Sequence, residues 1–242
     1  MSSASVDDHS AIAVSDLRFG YGSGNDILNI SGLQVGRSER VFLFGPSGCG
    51  KSTLLALIGG VLVPRAGTVD ILDTSISAMK SAARDRVRAN HVGFIFQQFN
   101  LVPYLSVVDN VCLPCRYSPR RLDRATESDG SAEKSAARLL DALGIDAELR
   151  ARKSTDLSVG QQQRVAAARA LIGRPEVIIA DEPTSSLDMD RRREFIDLLL
   201  TECDQSNSAV VFVSHDASLA EHFDRSIDLT DLNSATSSTH AA

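Results

Sequence analysis

Cysteine is scarce in this sequence. Cys49, Cys112, Cys115 and Cys203 are the only four in 242 residues, too few at this length to suggest a disulfide framework. Cys112 and Cys115 have the spacing of a redox pair or half a zinc site. No second pair and no His couple completes such a site, so both read as small buried side chains. Surplus positive charge is also missing. The net charge of −6 argues against broad binding to nucleic acid or an anionic membrane surface. No apolar run approaches the ~18 residues needed to span a bilayer. The opening "MSSASVDDHSA" has neither the basic cluster nor the apolar stretch of an export signal, so a cytosolic chain is expected. His9, His91, His222 and His240 lack ligand spacing and read as surface or packing residues.

What is present is an ordinary soluble composition, 43% hydrophobic and 23% charged, with enough length for one large domain carrying a subdomain. Residues 1–10 and the tail 233–242, "NSATSSTHAA", are rich in Ser, Thr and Ala and are expected to be disordered, leaving 11–232 as the folded unit. Four short apolar runs, Val41–Phe44, Val92–Phe96, Val177–Ala180 and Val210–Val213, read as strands buried on both faces. Helical periodicity lies between them, as in Ala136, Leu139, Leu140 and Leu143, or Phe195, Leu198 and Leu199. The pattern predicts an α/β fold with a doubly wound sheet. From about Gln98 to Thr155 the chain reads as a mostly helical insertion with a flexible crossing at "YSPRRLDRATESDGSAEKS". With the helix that follows, this makes a helical subdomain of about 98–172.

Three short stretches carry chemistry. Gly45, Pro46, Ser47, Gly48, Cys49, Gly50, Lys51 and Ser52 match G-x-x-x-x-G-K-[ST] between an apolar run and the helical "STLLALIGG". In such a loop backbone N–H groups turn onto phosphate oxygens, Lys51 neutralises the β- and γ-phosphates, and the Ser52 hydroxyl ligates Mg²⁺. Downstream, Asp181 and Glu182 end the run "VIIA". Asp181 is placed to hold Mg²⁺ through its water shell, and Glu182 to orient or deprotonate an attacking water. The third stretch is "TDLSVGQQQRVAAARALIG", Thr155 to Gly173. Ser158 and Gln161 have capping-box spacing, so Ser158 reads as the N-cap of a helix that Gly173 stops, and its free N–H groups make a second anion site. The run Ser214-His215-Asp216 is not a nucleophile triad, because neighbours on an extended chain cannot converge. Nor is "GYGSG" a dinucleotide fingerprint, since the third glycine is absent.

Together these residues resemble the ATP-binding subunit of ABC transporters, over roughly Ile12 to Leu232. The resemblance implies a P-loop NTPase core of RecA-like type, an antiparallel β portion near the N-terminus and a helical subdomain. Gly45–Ser52, with Thr53 at its end, resembles the Walker A loop, and Asp181 and Glu182 the Walker B aspartate and catalytic glutamate. Gln97 resembles the Q-loop glutamine, a Mg²⁺ ligand; Ser186-Leu-Asp188 resembles the D-loop; His215 resembles the switch histidine that bonds the γ-phosphate. Tyr21 takes the position of the aromatic on which adenine stacks. "LSVGQ" resembles the family signature, usually LSGGQ, so Ser158, Gly160 and Gln161 are expected at the γ-phosphate bound by a second copy. A homodimer closed around two ATP is implied. Val159 replaces a signature glycine and reads as an ordinary first helical residue.

"GFIFQQFNLVPYLSVVDNV" and "GQQQRVAAARAL" resemble the lipoprotein-releasing, macrolide-export and cell-division subgroup. That likeness implies an integral-membrane permease as partner, attachment to the cytoplasmic face of the membrane, and a permease groove near Gln97. A regulator of a membrane or cell-wall complex, or a soluble ATPase of DNA repair or translation, are the alternative roles; no nucleic acid is expected as partner.

Overall fold

The computed structural model describes residues 10–185 and 187–235. His9, His240 and Ser186 fall outside them. Two sheets organise the chain. The first is antiparallel and four-stranded, in the order β2-β1-β4-β5, from β1 (Ser10–Phe19), β2 (Leu28–Gly36), β4 (Ala66–Ile71) and β5 (Thr74–Ser75). The second has five strands in the order β6-β7-β8-β3-β9, all parallel: β3 (Arg40–Phe44), β6 (Val92–Ile95), β7 (Val177–Asp181), β8 (Ala209–Val213) and β9 (Arg225–Asp228). The four apolar runs are its four inner or leading strands, while the polar "RSID" of β9 gave no apolar signal and was missed.

Alternation along β3 assigns the two faces. Val41 and Leu43 join β1, β2, β4 and helix α1 (Lys51–Ile58) in one core, and Phe42 joins the other. That second core is closed by α3 (Val107–Tyr117), α5 (Ala132–Ala142), α6 (Val159–Leu171) and α7 (Met189–Ser206). Phe42, Phe195 and Phe212 are fully buried at its centre, each contributing about 1.5–3 kcal/mol of burial free energy. Helix α2 (Ser81–His91) buries no residue fully, and α8 (Leu229–Leu232) packs on β2 and β9.

Gly93 of β6 explains how α6 lies so close to the sheet. A Cβ there would sit 2.3 Å from the Ala170 carbonyl oxygen of α6 and 2.6 Å from Ile178 Cδ1. Only a glycine allows that approach. Helix α6 ends at Leu171, with Gly173 at φ 69° beyond it. Its last carbonyls, Ala170 and Ile172, accept from the buried Arg121 guanidinium, the latter at 2.7 Å.

Three expectations need correction. The presumed flexible crossing is mostly helix α4 (Pro119–Asp129). Ser118 caps it by accepting from the Arg121 N–H, Pro119 occupies the first turn, and Gly130 closes it at φ 86°. Ser131 then caps α5. Those start and stop signals outweigh the polar composition, since α4 needs only a narrow stripe, Arg121 and Ala125, to pack. Ser10, placed in the loose N-terminus, begins β1. Asn233, placed in the tail, is fully buried: its side-chain oxygen accepts the Asn29 N–H at 2.8 Å and its amide donates to Ile27 O at 2.8 Å.

Candidate functional site

The parallel register brings the functional segments to one edge. Leu43 and Asp181 both pair with Val213, and Ile95 pairs with Ala180. The residues following β3, β6, β7 and β8 therefore emerge together at the carboxyl end of the sheet, where open α/β sheets bind ligands.

After β3 the chain enters the glycine loop and then α1. Gly50 stands at φ 105° as the N-cap of α1, and a Cβ on it would meet Leu28 Cδ2 at 2.7 Å, so a side chain is excluded twice over. No side chain caps the helix, which leaves its first N–H groups for an anion. The space beside Gly48 is open to 4 Å. Lys51 is 8% exposed, and its ammonium donates to Gly45 O at 2.8 Å and Pro46 O at 2.9 Å. The cation is thus held over the loop by backbone carbonyls that a phosphate can replace as acceptors.

The Ser52 hydroxyl lies beside the Asp181 carboxylate at the end of β7. Burial raises the Asp181 carboxyl above its ordinary value, the Glu182 charge adds to the rise, and Ser52 and Lys51 oppose it. A carboxylate desolvated beside a hydroxyl, at a helix N-terminus, is a hard-oxygen donor set that a dication stabilises. The pair fits Mg²⁺.

Glu182 has a left-handed backbone, φ 44°, and its N–H bonds Val213 O at 3.0 Å. This unusual conformation for a non-glycine residue turns the carboxylate out of the strand. His215 Nδ1 lies 3.3 Å from Glu182 Oε2. The turn bearing His215 is fixed from α7, where Arg192 pairs with Asp216 and donates to Leu187 O at 3.0 Å. One arginine so ties the loop before α7 to the loop after β8. Asp188 caps α7, accepting the Arg191 N–H at 3.0 Å.

Tyr21 is 58% exposed, its hydroxyl 3.4 Å from Thr53 Oγ1 and its ring edge-on to Phe19 at 5.1 Å. Arg65 secures this turn by donating to Gly24 O at 2.8 Å and Gly22 O at 2.5 Å. Gln97 is exposed two residues past β6. Phe99 and Asn100 follow at φ 57° and 49°, and their carbonyls accept from Arg169 of α6. Sequence reasoning missed Arg65, Arg169 and Arg192. Arg65 and Arg169 serve backbone carbonyls, and Arg192 a carboxylate, more than twenty residues away, which leaves no local pattern.

The opposite end of α6 forms a second cleft. Ser158 and Gln161 make the expected capping box, at 3.3 Å and 2.9 Å. Ser158, Gly160 and Gln161 line a space of about 310 Å³ with Leu187 and Arg191, and no cradle residue lines it. The structure therefore brings Lys51, Ser52, Asp181, Glu182 and His215 to one edge and leaves Ser158, Gly160 and Gln161 facing outward. Val159, the first residue of α6, is 52% exposed. A roomier cleft, about 770 Å³, lies away from the phosphate loop. Phe94, Phe96, Asn100, Leu113, Tyr117 and Arg169 contribute to its walls, and the Phe94 and Phe96 rings stack at 4.2 Å.

Cys112 and Cys115 are buried free thiols. Burial pushes Cys112 up to about 12 and raises Cys115 as well, which keeps both protonated and unreactive. Among the described residues no cluster of three or more His, Cys, Asp or Glu has the arrangement of a metal site, and no helix is long and apolar enough to cross a membrane.

A family model described as ABC transporter matches residues 28–185. A lipoprotein-releasing system ATP-binding protein LolD from Hydrogenovibrio crunogenus is 40% identical over 204 residues, 84% of this chain and 85% of the relative. A macrolide export ATP-binding/permease protein MacB from Bdellovibrio bacteriovorus is 38% identical over 91% of this chain, which spans only 33% of that larger protein. Among solved structures, the ATP-binding cassette MJ0796, a dimer in a post-hydrolysis state bound to ADP and Pi, matches with a TM-score of 0.78 and 31% identity. That match covers 90% of this chain and 93% of the other.

Proposed function

The chain belongs to the ABC transporter family as one of its ATP-binding, ATP-hydrolysing subunits, and from that premise we propose how its own residues divide the reaction. The phosphates of ATP lie on the loop Gly45–Ser52 and the N-terminus of α1. Lys51 leaves the carbonyls of Gly45 and Pro46 for the β- and γ-phosphates. Tyr21, next to Thr53, stacks on the adenine. Ser52, Asp181 and Gln97 hold Mg²⁺, which when bound neutralises charge on the phosphates. Glu182 accepts a proton from the water that attacks the γ-phosphorus, the bond to the bridging oxygen breaks, and ADP departs with the electron pair. His215 orients the Glu182 carboxylate and reaches the γ-phosphate.

The single observation that carries this reading is the meeting of Lys51, Ser52 and Asp181 at one strand edge with the Glu182–His215 contact beside them. The outward-facing Ser158, Gly160 and Gln161 support its second half, in which each copy completes the other's site. Asp188 and the loop before it lie at that junction. Loss of the γ-phosphate then removes the bridge and the dimer loosens.

The membrane partner is a permease of the lipoprotein-release or export kind, received in the cleft walled by Phe94, Phe96 and Tyr117 at the cytoplasmic membrane face. The experiment is gel filtration of Glu182→Gln saturated with Mg-ATP, followed by co-purification from native membranes. The reading expects a dimer and an integral-membrane companion. A strict monomer in both settings overturns it.

A further inference from the structure

Arg169 occupies an unusual position. It lies on α6 eleven residues beyond Ser158, roughly 16 Å along the helix, and points at the loop that carries Gln97. Its guanidinium donates to Phe99 O at 2.5 Å and to Asn100 O at 2.7 Å. Among the described residues no carboxylate pairs with it. The two carbonyls belong to consecutive non-glycine residues in the left-handed region, a conformation that persists only when surroundings impose it. The Phe99 side chain is buried beneath them, whereas Asn100 is exposed. The forked, planar donor set of arginine suits two neighbouring carbonyls; a lysine ammonium is a point donor.

The same end of α6 is seated firmly. Gly93 admits the Ala170 carbonyl against β6, and Arg121 caps the final carbonyls. The other end is held by side chains: Arg164 donates to Leu143 O at 2.8 Å and pairs with Glu194 of α7, while only the first turn, with Ser158 and Val159, is exposed. Arg169 lies at the seated end, and its two hydrogen bonds tie the backbone next to Gln97 to α6.

We infer that Arg169 is a positioning residue that locks the Gln97 loop to the signature helix, so that the loop and the helix bearing Ser158 act as one body and Gln97 is held in its working position. It makes the state of one wall of the reaction centre depend on the other. The inference rests on the roles of Gln97 and Ser158 proposed above.

The test is a pair of variants read by kinetics and by a local probe. The chain has no tryptophan, so Gln98→Trp gives a sole emitter in the loop. Arg169→Met keeps the length and removes the fork. It is expected to lower kcat at least tenfold while KM for Mg-ATP stays within threefold, because Lys51 and its loop are untouched. In the Gln98→Trp background it should abolish the nucleotide-induced shift in emission. Arg169→Lys is expected to recover part of kcat.

Undiminished kcat in Arg169→Met, or an unchanged emission response, overturns the inference. So does a fall in kcat matched by an equal rise in KM, which would mark a general loss of structure. If Arg169→Met does not fold, Arg169→Gln takes its place with the same outcomes. Failure of both to fold assigns the guanidinium to the core and also overturns it. A wild-type chain lacking Mg-dependent hydrolysis would overturn the functional reading itself, which these variants leave distinguishable.

Discussion

Replacing Glu182 with glutamine isolates the proton-accepting step. Glutamine matches glutamate in shape and can keep the contact with His215, now 3.3 Å from the carboxylate. The backbone hydrogen bond from Glu182 N–H to Val213 O, and the left-handed φ, do not involve the side chain. Folding stability should therefore change by less than about 1 kcal/mol, the range of a part-exposed polar exchange. The amide cannot accept the proton of the attacking water. A positioned general base supplies about 10²–10⁴ in rate, or about 2.7–5.4 kcal/mol of barrier at 1.36 kcal/mol per decade. The assay is phosphate release at saturating Mg-ATP, beside a denaturant titration and equilibrium nucleotide binding. The expected result is a loss of 10²-fold or more in kcat with stability and affinity preserved. A loss under tenfold would remove Glu182 from the base role, and a large loss of stability would relocate its importance to the fold.

Lys51→Ala removes the buried cation from the phosphate loop. Charged hydrogen bonds contribute about 1.5–3 kcal/mol each, so two to phosphate imply at least a 100-fold loss of ATP affinity by calorimetry. A loss under tenfold would refute the role. Val159→Gly should leave turnover within twofold, because Val159 begins α6 and is absent from the positive-φ residues; a several-fold rise would show its bulk obstructing pairing. Glu176 tests acid stability. Burial pushes its carboxyl up, but hydrogen bonds from His91 and Arg120 and the charge of Arg124 outweigh that and bring it down to about 2. A carboxylate depressed in the folded chain stabilises above its unfolded value and loses that contribution as pH falls. Glu176→Gln should thus be less stable than wild type near pH 7, with the gap in urea midpoint closing from about pH 4.5 toward 2. A gap independent of pH refutes the coupling.

Legibility in the sequence followed the range of the physics involved. The strands β3, β6, β7 and β8 were readable because each is a short buried run with polar ends, and α6 because Ser158 and Gln161 act three residues apart. The phosphate loop was readable for the same reason, its function being local backbone geometry. Helix α4 has local signals, Ser118-Pro119 and Gly130, but its polar composition hides them, since only Arg121 and Ala125 are buried. Asn233 could not be read, because its partners Asn29 and Ile27 lie about two hundred residues away. Arg65, Arg169 and Arg192 stayed silent likewise. Each serves main-chain oxygens of a loop, which carry no side-chain identity, and the carboxylates that Arg65 and Arg192 also meet, Asp26 and Asp216, lie 39 and 24 residues away.

The order of strands has a consequence for biosynthesis. β3, which leads directly into the phosphate loop, is flanked by β8 and β9, both made from the last part of the described chain. While a ribosome is still extending the polypeptide short of Ala209, that strand has two bare edges and its loop lacks the support of β8 and β9. Nucleotide capture must wait until β8 and β9 have been made, so a chain stopped short of them is kept from sequestering ATP or pairing prematurely with a finished one.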